Sequence, residues 1–338
     1  MLKKSTLQYI AEKAKVSRMT VSRVFSGEKN VSKKTSEKIK KIAKRVGYHP
    51  NLIARSLSKR KSNTIGIFVP KTRHLFLDVY ITQLLSGISD VTQEHDFRLM
   101  LFPIDYKKSE SDLYLSIARS HLVDGIILIK TKIKDDGLEE LKSIKFPFVL
   151  VNHRNNKYNF IDSNNIKGTK LAIEHLYNLG HRKIAFVSGS LDETNAIDRL
   201  NSYKRTMKKL NLPIKKEWII NGEFSKEKAY EESKKLFNQK DLPTAIFCSD
   251  DYMAIGVIER IKESGLSVPR DISVVGFDNI EISSYVNPPL TTVHQPISMI
   301  GEKAANLLID LINEKKSPPI HELLDTQLVI RKSTSRMK

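Results

Sequence analysis

Residues 6–61 read TLQYIAEKAKVSRMTVSRVFSGEKNVSKKTSEKIKKIAKRVGYHPNLIARSLSKRK, and the reading of this stretch decides the architecture of the chain. Leu7, Ile10, Ala11 and Ala14 recur at helical spacing, and Thr6 stands where a cap belongs. A turn at Lys15 and Val16 follows. Ser17 then caps a second helix, from Arg18 to about Ser26, with Val21, Val24 and Phe25 on its inner face and Gly27 at its end. Ser32 caps a third helix with an apolar stripe of Ile39, Ile42, Ala43 and Val46, stopped by Gly47 and Pro50. Three short helices joined by tight turns predict a helix-turn-helix module. Its second helix presents Arg18, Met19, Ser22 and Arg23 outward, and most of these are residue types that reach base edges and phosphates.

Charge points the same way. The 338-residue chain has a formal net charge of +19. Residues 1–61 hold 18 Lys and Arg against three acids, giving +15 there and only +4 over the remaining 277 residues. A uniformly basic chain would be merely well solvated, whereas charge gathered at one end is the footprint of a polyanion-binding module. The length exceeds one ordinary core and predicts two or three domains. The single cysteine, Cys248, rules out a disulfide within the chain and fits a reducing compartment. The first residues, MLKKSTLQYIAEKAK, lack an apolar leader, and no stretch approaches the roughly 18 apolar residues of a membrane span. A cytoplasmic protein with no membrane partner is expected.

From Asn63 onward the pattern changes. TIGIFVP, FRLMLFPI, VDGIILI, PFVLVN, KIAFVSG, TAIFCSD and ISVVGF are buried-strand runs. Between them lie amphipathic segments such as YITQLLSGISDVTQEH, IKGTKLAIEHLYNLG, IDRLNSYKRTMKKLN and DYMAIGVIERIKESG. This alternation predicts parallel sheets with helices on both faces and a ligand crevice at the carboxyl ends of the strands. No phosphate loop or dinucleotide fingerprint follows a strand. The histidines show no metal-ligand spacing, and no Ser-His-Asp or Cys-His set stands out. Neither an enzyme nor a cofactor is expected.

The segment TLQYIAEKAKVSRMTVSRVFSG, continuing VSKKTSEKIKKIAKRVGYHPNLIARSL, resembles the headpiece of the LacI/GalR family of repressors. The resemblance implies base reading by Arg18, Met19 and Arg23, with further DNA contacts from Thr6, Ser17, Thr20, Ser22, Asn30 and Asn51. Arg offers a bidentate fork to guanine, while Met19 offers only apolar contact or is a solvent-facing filler. NLIARSLS (51–58) resembles the family's hinge helix, too short to be stable alone. Two such segments would order together on DNA, Leu57 wedging the minor groove open, Ala54 allowing close approach and Arg55 contacting backbone or groove. A plain basic linker is the other reading of these residues. The family often has Gly where this chain has Lys15; in a left-handed turn, Lys costs on the order of 1 kcal/mol over Gly.

The resemblance continues through DSNNIKGTKLAIEHLYNLGHRKIAFVSG, PTAIFCSDDYMAIGVIERIKESGLSVPRDISVVGFDNIEISSYVNPPLTTVHQP and LLDTQLVIRKS. It implies a periplasmic-binding-protein-like core of two Rossmann-like subdomains, one from 63–161 with 293–321, the other from 162–292 with 322–338. It places Arg199 as the main effector residue, with Asp278 as the acceptor opposite and Asp250 and Asn152 beside the crevice. Asn195 and Gln295 would lie nearby, Phe224 would stack on the ligand, and Phe76 with Leu77 would form its floor. Asp250 or Asp251 also suits the N-cap of the following helix, and Phe224 could be ordinary core. Charged donors and acceptors with one aromatic suit a sugar or sugar derivative. Lys130 and Lys132 keep a sugar acid or phosphate open. His74-Leu75-Phe76-Leu77 and Leu128-Ile129 depart from common family patterns and leave the effector unidentified.

The resemblance implies a homodimer, since no Leu-heptad helix follows RKSTSRMK. The expected function is a repressor on a pseudo-palindromic operator in double-stranded DNA, controlled by a small sugar-like effector. Two alternatives are a regulator controlled by a phosphocarrier-type protein and a cytosolic sugar-binding protein with a non-specific basic tail.

Overall fold

The structure, a computed structural model, describes residues 7–26, 30–48, 61–71, 75–105, 111–315, 317 and 319–337. The chain divides into two compact units, Met1–Asn63 and Thr64–Lys338.

The first unit contains α1 (Leu7–Ala14), α2 (Arg18–Ser26) and α3 (Lys33–Arg45). Ser17 Oγ accepts from the Thr20 N–H at 3.1 Å, and Ser32 Oγ from the Thr35 N–H at 3.2 Å, so both expected caps form. Ile10, Ala11, Ala14, Val21, Val24, Ile39 and Ala43 make one buried cluster, with the Phe25 and Tyr48 rings 5.4 Å apart at its edge. Lys15 has φ +57°, the left-handed turn that glycine would fill more easily. The Lys15 N–H reaches Glu12 O and the Val16 N–H reaches Ala11 O at 3.0 Å, satisfying carbonyls at the end of α1. Lys38 Nζ then donates to Ala14 O at 2.9 Å, tying α3 to that turn. Gly27, Pro50 and the hinge at 51–60 lie outside the described residues.

The second unit holds two six-stranded sheets. The first sheet uses β1 (Thr64–Pro70), β2 (Arg98–Ile104), β3 (Gly125–Ile129), β4 (Phe148–Val151), β5 (Phe160–Ser163) and β11 (His321–Leu324), in the order β11-β5-β4-β3-β1-β2. The second uses β6 (Ile184–Ser188), β7 (Ile219–Asn221), β8 (Ala245–Cys248), β9 (Ser273–Asp278), β10 (Thr291–His294) and β12 (Gln327–Val329), in the order β12-β10-β9-β8-β6-β7. All pairs are parallel except β10 with β12, so the expectation of wholly parallel sheets fails at one edge. There the chain has just crossed from β11 and adds β12 as a short returning edge strand.

On the first sheet, α4 (Val79–Glu94) and α11 (Ile297–Ile312) cover one face, and α5 (Ser111–Arg119) and α6 (Asp136–Ser143) the other. Two glycines let α4 and α11 approach: a Cβ at Gly301 would lie 2.3 Å from Leu84 O, and one at Gly87 2.0 Å from Ser298 O. On the second sheet, α7 (Asn165–Asn178) and α8 (Thr194–Lys209) cover one face, and α9 (Lys226–Phe237) and α10 (Asp251–Glu263) the other.

Three crossings join the two halves, at 163–165, 294–297 and 324–327. The divisions expected at 161/162, 292/293 and 321/322 fall inside β5, β10 and β11. Hydrogen-bond pairing carries each strand two or three residues further before the chain changes sheet. The crossings are bonded to one another. The Asn164 N–H donates to Leu324 O at 2.7 Å, Thr326 Oγ1 donates to Asn164 O at 3.3 Å, and Ser163 Oγ donates to Gln295 Oε1.

Candidate functional site

Two sites follow from this fold, one in each unit. In the first, Ser17, Arg18, Met19, Ser22, Arg23 and Asn30 are exposed, and Met19 at 63% is conspicuously so for an apolar side chain. Thr20 is half-buried and its hydroxyl pairs with that of Ser17 at 2.9 Å, so these two expected contact residues are also engaged in the N-cap of α2. The outer face of α2 is thus basic with one apolar point. Thr6, Asn51, Ala54, Arg55 and Leu57 lie outside the described residues.

The second site is the cleft between the two sheets of the core, a narrow gap open to solvent at its mouth. It is lined by Asn152, Asn195, Arg199, Phe224, Asp250, Asp278 and Gln295, seven of the nine residues the sequence pointed to. The other two, Phe76 and Leu77, are 69% and 71% exposed and do not line it. A 3-10 turn over Leu75–Leu77 explains this: Leu75 packs on the core, Phe76 and Leu77 face outward, and the cleft receives Asp78. Asp78 caps α4, accepting from the Ile81 N–H at 3.2 Å. Asp78, Tyr80, Lys130 and Tyr252 also line the cleft and were not read as part of the site.

The strand ends set the chemistry. Arg199, 3% exposed on α8, donates Nε to Asn165 Oδ1 at 2.8 Å and Nη1 to Ser249 O. Its guanidinium carbon stacks 3.8 Å over the Phe277 ring centroid, and Nη1 lies 3.9 Å from Asp278 Oδ1. Gln295 Nε2 donates to the same Asp278 oxygen, so the crossing at 294–297 holds the acceptor that ends β9. Asp250 Oδ1 accepts from the Met253 N–H at 2.6 Å and caps α10. Asp251 turns inward instead, accepting from the Ile280 N–H at 2.9 Å and from Thr292 Oγ1. Burial pushes the Asp250 and Asp278 carboxyls above the usual range, and the neighbouring Arg199 and Lys130 recover only part of that shift. Burial opposes the Lys130 charge too, but Asp78, Glu193, Asp278 and Asp250 around it more than compensate and raise its pKa.

Backbone strain concentrates here. Lys130 (φ +55°), Asn152 (φ +57°), Phe224 (φ +55°) and Asp278 (φ +113°) all take left-handed or rarer conformations and all line the cleft. None is glycine, and such conformations cost on the order of 1–3 kcal/mol each and persist where surrounding structure enforces them.

A basic helix-turn-helix module in one chain with a two-sheet core and a polar cleft defines a ligand-responsive DNA-binding regulator. Residues 6–51 match the model for bacterial regulatory proteins of the lacI family, and residues 173–334 match a periplasmic binding protein-like domain. The chain is 33% identical to the HTH-type transcriptional repressor PurR of Histophilus somni (strain 129Pt), over 98% of this chain and 100% of that protein. It is also 33% identical to catabolite control protein A of Priestia megaterium, over 97% and 99%. Among solved structures it resembles the lac repressor dimer bound to operator and the anti-inducer ONPF, at 29% identity and a TM-score of 0.87, covering 98% and 99%. It also resembles a CelR–cellobiose complex, at 28% and 0.75, covering 97% and 99%. The chain belongs to the LacI family and is a DNA-binding transcription regulator with an effector-binding core. Among the described residues, no helix is long and apolar enough to cross a membrane.

Proposed function

We propose that this regulator is a homodimeric repressor whose grip on a pseudo-palindromic operator is set by a sugar-like molecule in the core cleft. Arg18 and Arg23 read base edges, Met19 makes an apolar contact, and Ser17, Thr20, Ser22, Asn30, Thr6 and Asn51 position the module on phosphates. Paired hinge segments order on the DNA, with Ala54 at their contact, Arg55 on the backbone or in the groove and Leu57 as the wedge.

The observation that carries the effector half is the buried arrangement of Arg199, Asp278 and Gln295, which line one cleft together with Phe224. Charged donors and acceptors grip hydroxyls strongly, and an aromatic covers an apolar ring face. The structural neighbour in complex with cellobiose supports the same chemistry. A ligand that favours one arrangement of the two subdomains shifts the population that holds DNA.

The test is a titration of the operator complex with mono- and disaccharides, followed by fluorescence anisotropy. At least one sugar moves the binding midpoint of the wild type, and Asp278→Asn loses that response while keeping operator affinity within about twofold. If no sugar alters operator affinity, the effector reading is wrong.

A further inference from the structure

The cleft is more acidic than an ordinary polyol requires. Asp78, Asp250 and Asp278 line it against Lys130 and Arg199, and Glu193 stands beside Lys130 as a fourth carboxylate. The hydrogen bonds that the three aspartates accept from the protein all fall on Oδ1, from Ile81, Met253 and Gln295 respectively. The Tyr80 hydroxyl is buried in the wall beside the Asn152 side chain, and the Glu193 carboxylate stands beside the Asn195 side chain. Arg199 spends Nε on Asn165 and Nη1 on Ser249, so only part of its guanidinium is engaged by the protein.

One cation already sits where a ligand would. The Lys130 ammonium lies 5.0 Å from the Tyr80 ring centroid on one wall and 5.6 Å from the Phe224 ring centroid on the other. The two aromatic faces therefore accept a positive charge between them. Any ligand stacked on Phe224 must move that ammonium aside, among carboxylates that favour replacing it with another cation.

Resting on the reading of this cleft as the effector site, we propose that the effector carries a protonated amine on a polyhydroxylated frame. The amine takes the place the Lys130 ammonium now holds against Phe224, among Asp78, Asp250 and Asp278, while Arg199, Asn152, Asn195 and Gln295 meet the hydroxyls. Lys130 is then a specificity residue: a tethered cation that a neutral sugar displaces at a cost and an amino sugar replaces in kind. An anionic sugar meets four carboxylates against two cations, Lys130 and the partly engaged Arg199.

A proton signature follows. The groups facing the seat are Asp78, Tyr80, Lys130 and Asp162 from one subdomain, and Glu193, Arg199, Asp250, Asp251, Tyr252 and Asp278 from the other. Burial raises the Asp250, Asp278 and Glu193 carboxyls, so the ligand-free cleft retains protons that ordinary carboxylates would have lost. A bound cation favours their ionised forms and expels those protons. Affinity for an amine therefore rises with pH through the range in which they titrate, provided the amine itself stays protonated.

The experiment is calorimetric titration of the full-length protein with matched hexoses, hexosamines and hexose phosphates, in buffers of different ionisation enthalpy. A hexosamine is expected to bind at least about tenfold tighter than its matched hexose, with net proton release. Lys130→Met is expected to tighten hexosamine binding severalfold, its folding checked by retained operator binding. Tighter binding of the neutral or phosphorylated sugar, or proton uptake, overturns the amine assignment and leaves a sugar effector standing. Binding of none of the three classes by a protein that still holds operator overturns both.

Discussion

Arg154 Nη2 donates to Asp198 Oδ1 at 2.6 Å, and this pair joins the loop after β4 in one subdomain to α8 in the other. The Arg154 N–H also donates to Thr194 Oγ1 at 2.9 Å, and the Ile133 N–H to Asp192 O at 3.1 Å. Asp198 precedes Arg199, so contacts that hold the two halves together border a residue lining the cleft. One helix thus carries both inter-subdomain contacts and cleft-lining side chains.

A double-mutant cycle on Arg154→Ala and Asp198→Ala measures how much this pair contributes. With Asp198 at 13% side-chain exposure and Arg154 at 36%, the coupling belongs near the upper end of the surface range, about 0.5–1 kcal/mol. Thermal denaturation of the four proteins reads it. Strictly additive losses would show that the pair does not couple the subdomains.

Asp162 gives the core a pH dependence. Burial pushes its carboxyl up to about 7, against the pull of the Ser163 N–H and Arg199. Between the unfolded value near 3.9 and that folded value, the folded state holds the extra proton, so stability falls as pH rises. The loss is complete above about pH 7 and absent well below pH 4. Asp162→Asn keeps an acceptor for the Ser163 N–H without the charge. At pH 8 it should stabilise the core by on the order of 4 kcal/mol, with the advantage fading toward pH 4. Because His153, His175, His181 and His294, all lowered by burial, are common to both proteins, the difference between the two denaturation profiles isolates Asp162. A difference that grows as pH falls would contradict the assignment.

Lys15 holds a left-handed turn with φ +57°. Lys15→Gly should stabilise the helix-turn-helix unit by about 1 kcal/mol, since glycine meets no Cβ penalty there. Hydrogen exchange of the α1 and α2 amides in the full-length chain provides the readout. Slower exchange is expected, and faster exchange would show that the turn gains more from the lysine than it loses.

Much of this was legible because the signals are local. Ser17 and Ser32 announce their helices by position, and both caps form. The runs at β1, β3, β4, β6, β8 and β9 are continuous apolar strings, as buried parallel strands must be. FIDS in β5 and IIN in β7 are too short and too polar to stand out, and only pairing with neighbours makes them strands. The cleft residues came from the family pattern, which carries Arg199 and Asp278 because their strand and helix positions are fixed by the fold. It failed at Phe76 and Leu77, where a 3-10 turn shifts the cleft-facing residue to Asp78. Lys130 was named only as a nearby cation. Its place directly after the VDGIILI run marks a strand's carboxyl end, but the left-handed backbone that turns it into the cleft leaves no trace in the sequence.

If α2 reads DNA sequence, the full-length chain selects a defined duplex and loses part of that selectivity when a base-reading side chain is removed. The most direct measurement is selection of bound duplexes from a random library by full-length protein at fixed physiological salt, run in parallel with Arg18→Ala. The wild type should recover a pseudo-palindrome. The variant should recover the same motif relaxed at one base position per half-site, with affinity lower by about 1–3 kcal/mol. Recovery of no motif, with binding that simply collapses as salt rises, would contradict base reading by α2 and leave the basic unit a non-specific anchor.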